Sequence, residues 1–148
     1  MLGVSGSRSI TNAKLVMTVL NEVWGMLHVH GVPGQMDKLT GVVVGDCPQG
    51  VDAITAQWAR NKAIMKMALA PRGAKSDAQP FLQVEAADWG THGKAAGPIR
   101  NGNLVSRCGF LLAIWNGTSP GTRSTISICR RVRRRHLVWY LPQGKVTT

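Results

Sequence analysis

Three glycine-bearing turns hold the residues of this chain best suited to chemistry: Gly6-Ser7-Arg8, Gly45-Asp46-Cys47-Pro48-Gln49-Gly50 and Gly117-Thr118-Ser119-Pro120-Gly121-Thr122. Each follows an apolar run and leads into a stretch with helical spacing. Glycine lets backbone N–H groups approach an anion closely, and the start of the following helix adds a partial positive charge. The neighbouring side chains fit the same chemistry. Arg8 offers a guanidinium fork for a phosphate. Asp52, at the start of a helix, suits a ribose hydroxyl or a favourable place on the helix dipole. Ser119 and Thr122 bring hydroxyls and N–H groups to another helix start. Arg100 and Asn101 add a charge and an amide from a third helix. Singly, a glycine in such a turn is an ordinary turn residue. Together, Gly6, Ser7, Arg8, Gly45, Gly50, Asp52, Arg100, Asn101, Gly117, Ser119, Gly121 and Thr122 form a candidate nucleotide- or phosphate-binding set.

Other chemistries find less support. Cys47, Cys108 and Cys129 are odd in number, far apart and without C-x-x-C or zinc spacing, so they read as buried or incidental thiols. His28 and His30 lie two residues apart near a helix end, and His92 and His136 stand alone. No metal and no cofactor is expected. Of the five tryptophans, Trp24, Trp58 and Trp139 read as core or interface, whereas Trp89 and Trp115 border the candidate turns. Asn116-Gly117-Thr118 matches a glycosylation tripeptide, but no secretory signal accompanies it.

The net charge of +11 is unevenly spread, because all seven acidic residues lie at or before Asp88. Beyond it come Lys94, Arg100, Arg107, Arg123, Arg130, Arg131, Arg133, Arg134, Arg135 and Lys145 with no acid among them. Such asymmetry implies an anionic partner, either a small phosphate ligand or nucleic acid. The arginines at the end of the last helix exceed what a helix C-terminus requires. On a helix face, Arg130, Arg134, Arg131 and Arg135 would give weak, sequence-independent nucleic-acid binding; the alternative is a solvated basic face.

The elements that must position these residues follow from hydropathy. Leu2 to Ser5 reads as a strand. A helix capped by Thr11 follows, with Ile10 and Leu15 as a hydrophobic staple and Val16, Val19, Leu20, Val23 and Leu27 on one face; Gly31, Pro33 and Gly34 end it. Leu39 to Val44 is apolar without alternation, as in a strand covered on both faces. Val51, Ile54 and Trp58 trace a second helix, and Ile64 to Ala70 reads as a third strand stopped by Pro71. Residues 72 to 87 read as an irregular surface excursion. A helix from about Gly97 to Arg107, a strand from Gly109 to Trp115, a helix from Thr122 to Arg135 and a strand from His136 to Leu141 complete the pattern. The alternation predicts an α/β, Rossmann-like three-layer sandwich, with a mainly parallel sheet of about five strands joined by right-handed crossovers. The 148 residues suit one domain, and no apolar stretch reaches membrane-spanning length, so a cytoplasmic protein is expected.

Gly6-Ser7-Arg8, Val44-Gly45 with Gly50-Val51-Asp52 and Trp58-Ala59, Ala87-Asp88-Trp89, Gly93-Lys94-Ala95-Ala96-Gly97-Pro98 with Arg100-Asn101, and Trp115-Asn116-Gly117 with Ser119 and Gly121-Thr122 together resemble the SLOG superfamily. Within it the chain is most similar to the small YspA- and YpsA-related proteins of phages and bacteria, from residue 3 to about 140. The resemblance implies a Rossmann-like sheet, a homodimer or higher homo-oligomer, and a nucleotide or nucleotide-derived ligand. Relatives in the superfamily include the phosphoribohydrolases called LOG and the single-strand DNA-binding recombination mediator DprA. The hydrolases carry a glutamate after their Gly-Thr pair, and here that position falls on Thr125, whose hydroxyl cannot act as that carboxylate.

Three functions are therefore in competition. The first is a module that senses or sequesters a nucleotide-derived molecule. The second is an N-glycosidase or phosphoribohydrolase-like enzyme using Asp52 or Asp88. The third is a nucleic-acid-binding protein served by the basic second half.

Overall fold

A computed structural model describes residues 1–30, 39–69 and 81–142. The chain runs β1 (Leu2–Gly6), α1 (Ala13–His30), β2 (Val42–Gly45), α2 (Val51–Leu69), β3 (Leu82–Glu85) and α3 (Trp89–His92). A single 3-10 turn (Gly93–Ala95) leads into α4 (Ala96–Arg107), β4 (Phe110–Trp115), α5 (Pro120–Val132) and β5 (His136–Tyr140). The five strands form one sheet in the order β3-β2-β1-β4-β5, and every pairing is parallel.

Strand periodicity divides the core in two. Leu2, Val4, Leu112 and Ile114 face α1 and α2, where Val16, Leu20, Val23, Val51 and Trp58 meet them. Val43, Leu111 and Ala113 face the other way, onto Leu104 and Val105 of α4 and Ile126 and Cys129 of α5. Helices thus cover both faces, which makes the α/β three-layer, Rossmann-like architecture. Val42, Val43 and Val44 are all fully buried, which is why that run shows no polar alternation.

Four expectations about local structure need correction. Ile64 onward is not a strand but the second half of α2, which runs unbroken to Leu69; Met, Lys, Ala and Leu are good helix formers and nothing before Ile64 breaks the helix. Ala70 and Pro71 lie outside the described residues. The third strand is instead Leu82–Glu85, an edge strand only partly buried, and so it carries a weak apolar signal inside the stretch read as irregular. The cap of α1 is Asn12 rather than Thr11: its Oδ1 accepts the Leu15 N–H at 3.1 Å, and Leu15 is exposed while Ile10 joins the core. Gly31, Pro33 and Gly34 lie outside the described residues. Finally, α5 stops at Val132, so Arg134 and Arg135 lie beyond the helix and share no helical face with Arg130 and Arg131.

Among the described residues, no helix is long and apolar enough to cross a membrane.

Candidate functional site

The chain moves from β1 outward to β2 and β3, then returns to β4 on the other side of β1. Beyond the carboxyl ends of β1 and β4 lies the point where strand direction of travel reverses, and open α/β sheets form crevices there. A cleft of about 640 Å³ opens at this edge, walled by the ends of β1 and β2, by α4, by the start of α5 and by Trp89 of α3.

The turn after β1 is locked from below. The Ser7 N–H donates to the Ile114 carbonyl at 3.0 Å, and the Ser7 hydroxyl accepts the Asn116 N–H at 3.0 Å. Ser7 is fully buried and does not line the cleft; it staples the β1 turn to the β4 turn. Gly6 lines the cleft, and it must be small because a Cβ there would run into Val51 at the start of α2. Arg8 sits on the exposed rim, its Nε 3.4 Å from Gln49 Oε1.

The turn after β2 forms the acidic wall. Asp52, only 7% exposed, accepts the Cys47 N–H at 3.3 Å. Burial pushes its carboxyl up from the ordinary 3.8 to about 6, and nearby Asp46 adds to the rise; the Cys47 N–H and the Arg100 charge oppose it. A Cβ on Gly45 would lie 2.7 Å from Asp52 Oδ2, so this glycine makes room for the carboxylate. Arg100 Nη1 meets Asp46 Oδ1 at 2.7 Å, while Arg100 Nε is buried with no hydrogen-bond partner. The second Asp46 oxygen accepts the Ala87 N–H at 3.2 Å. Gly50 lies outside the lining; its φ of +72° and the backbone of Arg8 against it make it a turn residue.

The start of α5 forms the opposite wall. Asn116 Oδ1 accepts the N–H groups of Thr118 and Ser119, each at 2.9 Å, and its amide donates to Ser9 Oγ at 3.0 Å. This fixes the approach to the helix. Pro120 has no N–H, and Ser119, the N-cap residue, makes no side-chain capping bond. Helical geometry leaves the N–H groups of Gly121 and Thr122 without an intrahelical acceptor, and both residues line the cleft. Asn101 braces the wall from α4 through Nδ2 to the Gly121 carbonyl at 3.4 Å. Gly117 lies outside the lining, packed against the Tyr140 ring with φ +90°.

Nine of the candidate residues therefore share one cleft: Gly6, Arg8, Gly45, Asp52, Arg100, Asn101, Ser119, Gly121 and Thr122. Ser7, Gly50 and Gly117 hold its turns in shape. Asp88 does not pair with Arg100; its Oδ1 caps α3 by accepting the Thr91 N–H at 3.0 Å. Thr125 lies fully buried on α5, its hydroxyl donating to the Gly121 carbonyl at 3.2 Å and accepting from Ser5 Oγ at 3.3 Å.

Asp46, Cys47, Leu104 and Pro120 also line the cleft without having been singled out. The signal for Asp46 was available, since an acid directly after a strand-end glycine faces the same edge as that glycine. Trp89 is 57% exposed at the rim, whereas Trp115 is turned to structure, with its Nε1 donating to the Ser119 carbonyl at 3.1 Å and Arg123 over its ring. Cys108 and Cys129 are free and buried, and burial pushes both thiols up to about 11. Among the described residues no group of three His, Cys, Asp or Glu side chains is placed to hold a metal ion.

Comparison with protein-family models, with curated proteins and with solved structures gives no match. The functional reading therefore rests on the fold and on the cleft.

Proposed function

We propose that the cleft binds a nucleotide or nucleotide-derived ligand and that the protein senses or sequesters that molecule. The observation that carries the reading is the division of the cleft into chemically different walls. Free N–H groups at the start of α5, with Arg8 on the rim, suit a phosphate. Across from them, the carboxylates of Asp46 and Asp52 suit the hydroxyl donors of a sugar. Trp89, exposed beside both, offers a flat apolar face to a base. A ligand that satisfies all three carries phosphate, sugar and aromatic ring together. The resemblance of Gly6-Ser7-Arg8, Gly93 to Asn101 and Trp115 to Thr122 to the SLOG superfamily supports the same class.

Native mass spectrometry of the purified protein against a panel of nucleotides and dinucleotides tests this reading. A defined adduct with a nucleotide, absent with the free nucleoside and weaker with ribose 5-phosphate, is the expected result. No adduct across the panel would remove it.

One observation favours a second reading, an N-glycosidase or phosphoribohydrolase-like enzyme. A buried carboxyl with its pKa near 6, set in a cleft beside an arginine, has the protonation behaviour of a general acid or base. In that reading Asp52 acts at the glycosidic bond; Asp88 is occupied as the α3 cap. Release of free base from nucleoside monophosphates, abolished in Asp52→Asn, would put the enzyme first.

A further inference from the structure

The amino end of β5 and the carboxyl end of α5 carry a second feature, at the opposite edge of the sheet from the cleft. After Val132 the chain turns through Arg133, which holds φ 57° and ψ 38° and is the one non-glycine residue with positive φ among the described residues. The Arg134 N–H returns to the Cys129 carbonyl at 2.8 Å, and the Arg135 carbonyl accepts the Leu111 N–H at 3.0 Å. The loop is thus pinned to both α5 and β4. Around it Arg130, Arg133, Arg134, Arg135 and His136 wall an open depression of about 620 Å³ with Phe110 and Cys129 behind them.

The charge in this depression is uncompensated. Among the described residues, arginine–carboxylate ion pairs form at Arg100 with Asp46 and at Arg107 with Glu85, and none forms at these four arginines. The negative end of α5 accommodates only part of their charge. Arg134 Nε is buried without a hydrogen-bond partner, and a buried donor lacking an acceptor is costly. An external anion answers both deficits. Arginine is the side chain best matched to phosphate geometry. An open surface with several cations in series suits successive phosphates of a strand, whereas a single small ligand is usually enclosed.

We propose that this depression binds the phosphate backbone of nucleic acid, independently of base sequence and independently of the cleft. The contacting set is Arg130, Arg133, Arg134 and Arg135. Arg131 is exposed but lies outside the depression, so it is the internal control. The lining is dominated by guanidinium charge, which suits contact with phosphate, and phosphate contacts carry no base sequence.

Fluorescence anisotropy of a labelled single-stranded DNA homopolymer, titrated at increasing salt, tests the proposal with the full chain. Four contacts predict a slope of roughly −3 in log affinity against log salt, with binding largely lost between about 50 and 200 mM. Arg131→Ala should leave the slope unchanged. Arg133→Gly is the decisive variant, because glycine suits the left-handed position and the melting temperature should hold or rise. The same variant should flatten the slope by roughly 0.7 for the lost contact. Gly121→Val, at the other edge, should leave DNA binding untouched. Three results would overturn the proposal: no DNA binding at about 50 mM salt, a slope unchanged in a well-folded Arg133→Gly, or full displacement of DNA by inorganic tripolyphosphate at equal phosphate concentration.

Discussion

Arg100 reaches from α4 to the end of β2 and places Nη1 2.7 Å from Asp46 Oδ1, while its charge also lowers the pKa of the buried Asp52 carboxyl. One guanidinium thus serves two carboxylates, only one of which it touches. The ion pair is partly shielded, with the two side chains 18% and 32% exposed.

Removing that charge should be visible at Asp52. In Arg100→Gln the carboxyl titrates above its present value of about 6, because one of the two opposing influences is gone and burial with Asp46 is then countered only by the Cys47 N–H. Carbon-detected NMR titration of the carboxyl measures this directly. Ligand affinity should fall at least about tenfold, as expected when a charged hydrogen-bonding group is lost. An unmoved titration midpoint would show that Arg100 does not set the electrostatics of this wall.

Asp52 predicts a trade between stability and binding. Its folded pKa is raised from 3.8 to about 6, so the stability it contributes is fully present below about pH 3.8 and is lost as pH rises through 6. Asp52→Asn, which mimics the protonated form, should therefore stabilise the fold at pH 7.5 by on the order of 2–3 kcal/mol and by little near pH 3.5. Ligand binding should weaken in the same variant. Thermal melts at the two pH values check the first point, and a stability gain independent of pH would refute it.

Gly121 and Gly6 should respond in opposite ways. A Cβ at Gly121 meets nothing within 4 Å, so Gly121→Val leaves the fold intact while filling space beside the α5 N–H groups and abolishing ligand binding. A Cβ at Gly6 runs into Val51, and Gly6→Ala should cost about 1–3 kcal/mol of stability by overpacking. Denaturant melts and ligand titration on the two variants separate the roles. A Gly121→Val protein that binds as well as the parent would move the phosphate position elsewhere.

Trp89 gives the most selective readout of ligand class. Its side chain is largely exposed, so Trp89→Leu should leave the melting temperature nearly unchanged. Loss of a stacked base costs on the order of 1–3 kcal/mol, and nucleotide affinity should drop by roughly tenfold or more. Affinity for ribose 5-phosphate, which has no base, should stay the same. Equal losses for both ligands would show that Trp89 does not stack a base.

The sequence by itself determined the layered α/β architecture and the edge at which the turns gather. Unalternating valines at 42–44, a helical stripe through Val16, Val19, Leu20 and Val23, and glycines between them are local signals, and the burial of those residues follows their pattern. Local signals failed where two structures share a composition. Ile64 to Leu69 has the apolar content of a strand but continues a helix, and the half-exposed edge strand Leu82–Glu85 lacked the apolar run that marks β2 and β4. The arginine run was legible as charge, but its shape was not, because the helix ends at a left-handed Arg133 that no sequence rule favours over glycine.

Only the tertiary structure decided which candidates share the cleft. Gly6, Asp52, Arg100 and Gly121 come from segments far apart in the chain, and their approach depends on strand order and on which sheet face each helix covers. Ser7 and Gly117 looked equally suited to a ligand but are consumed by Asn116 and by Tyr140. Composition specifies what a side chain can bind, whereas competition from neighbours in the folded chain decides whether it is free to do so.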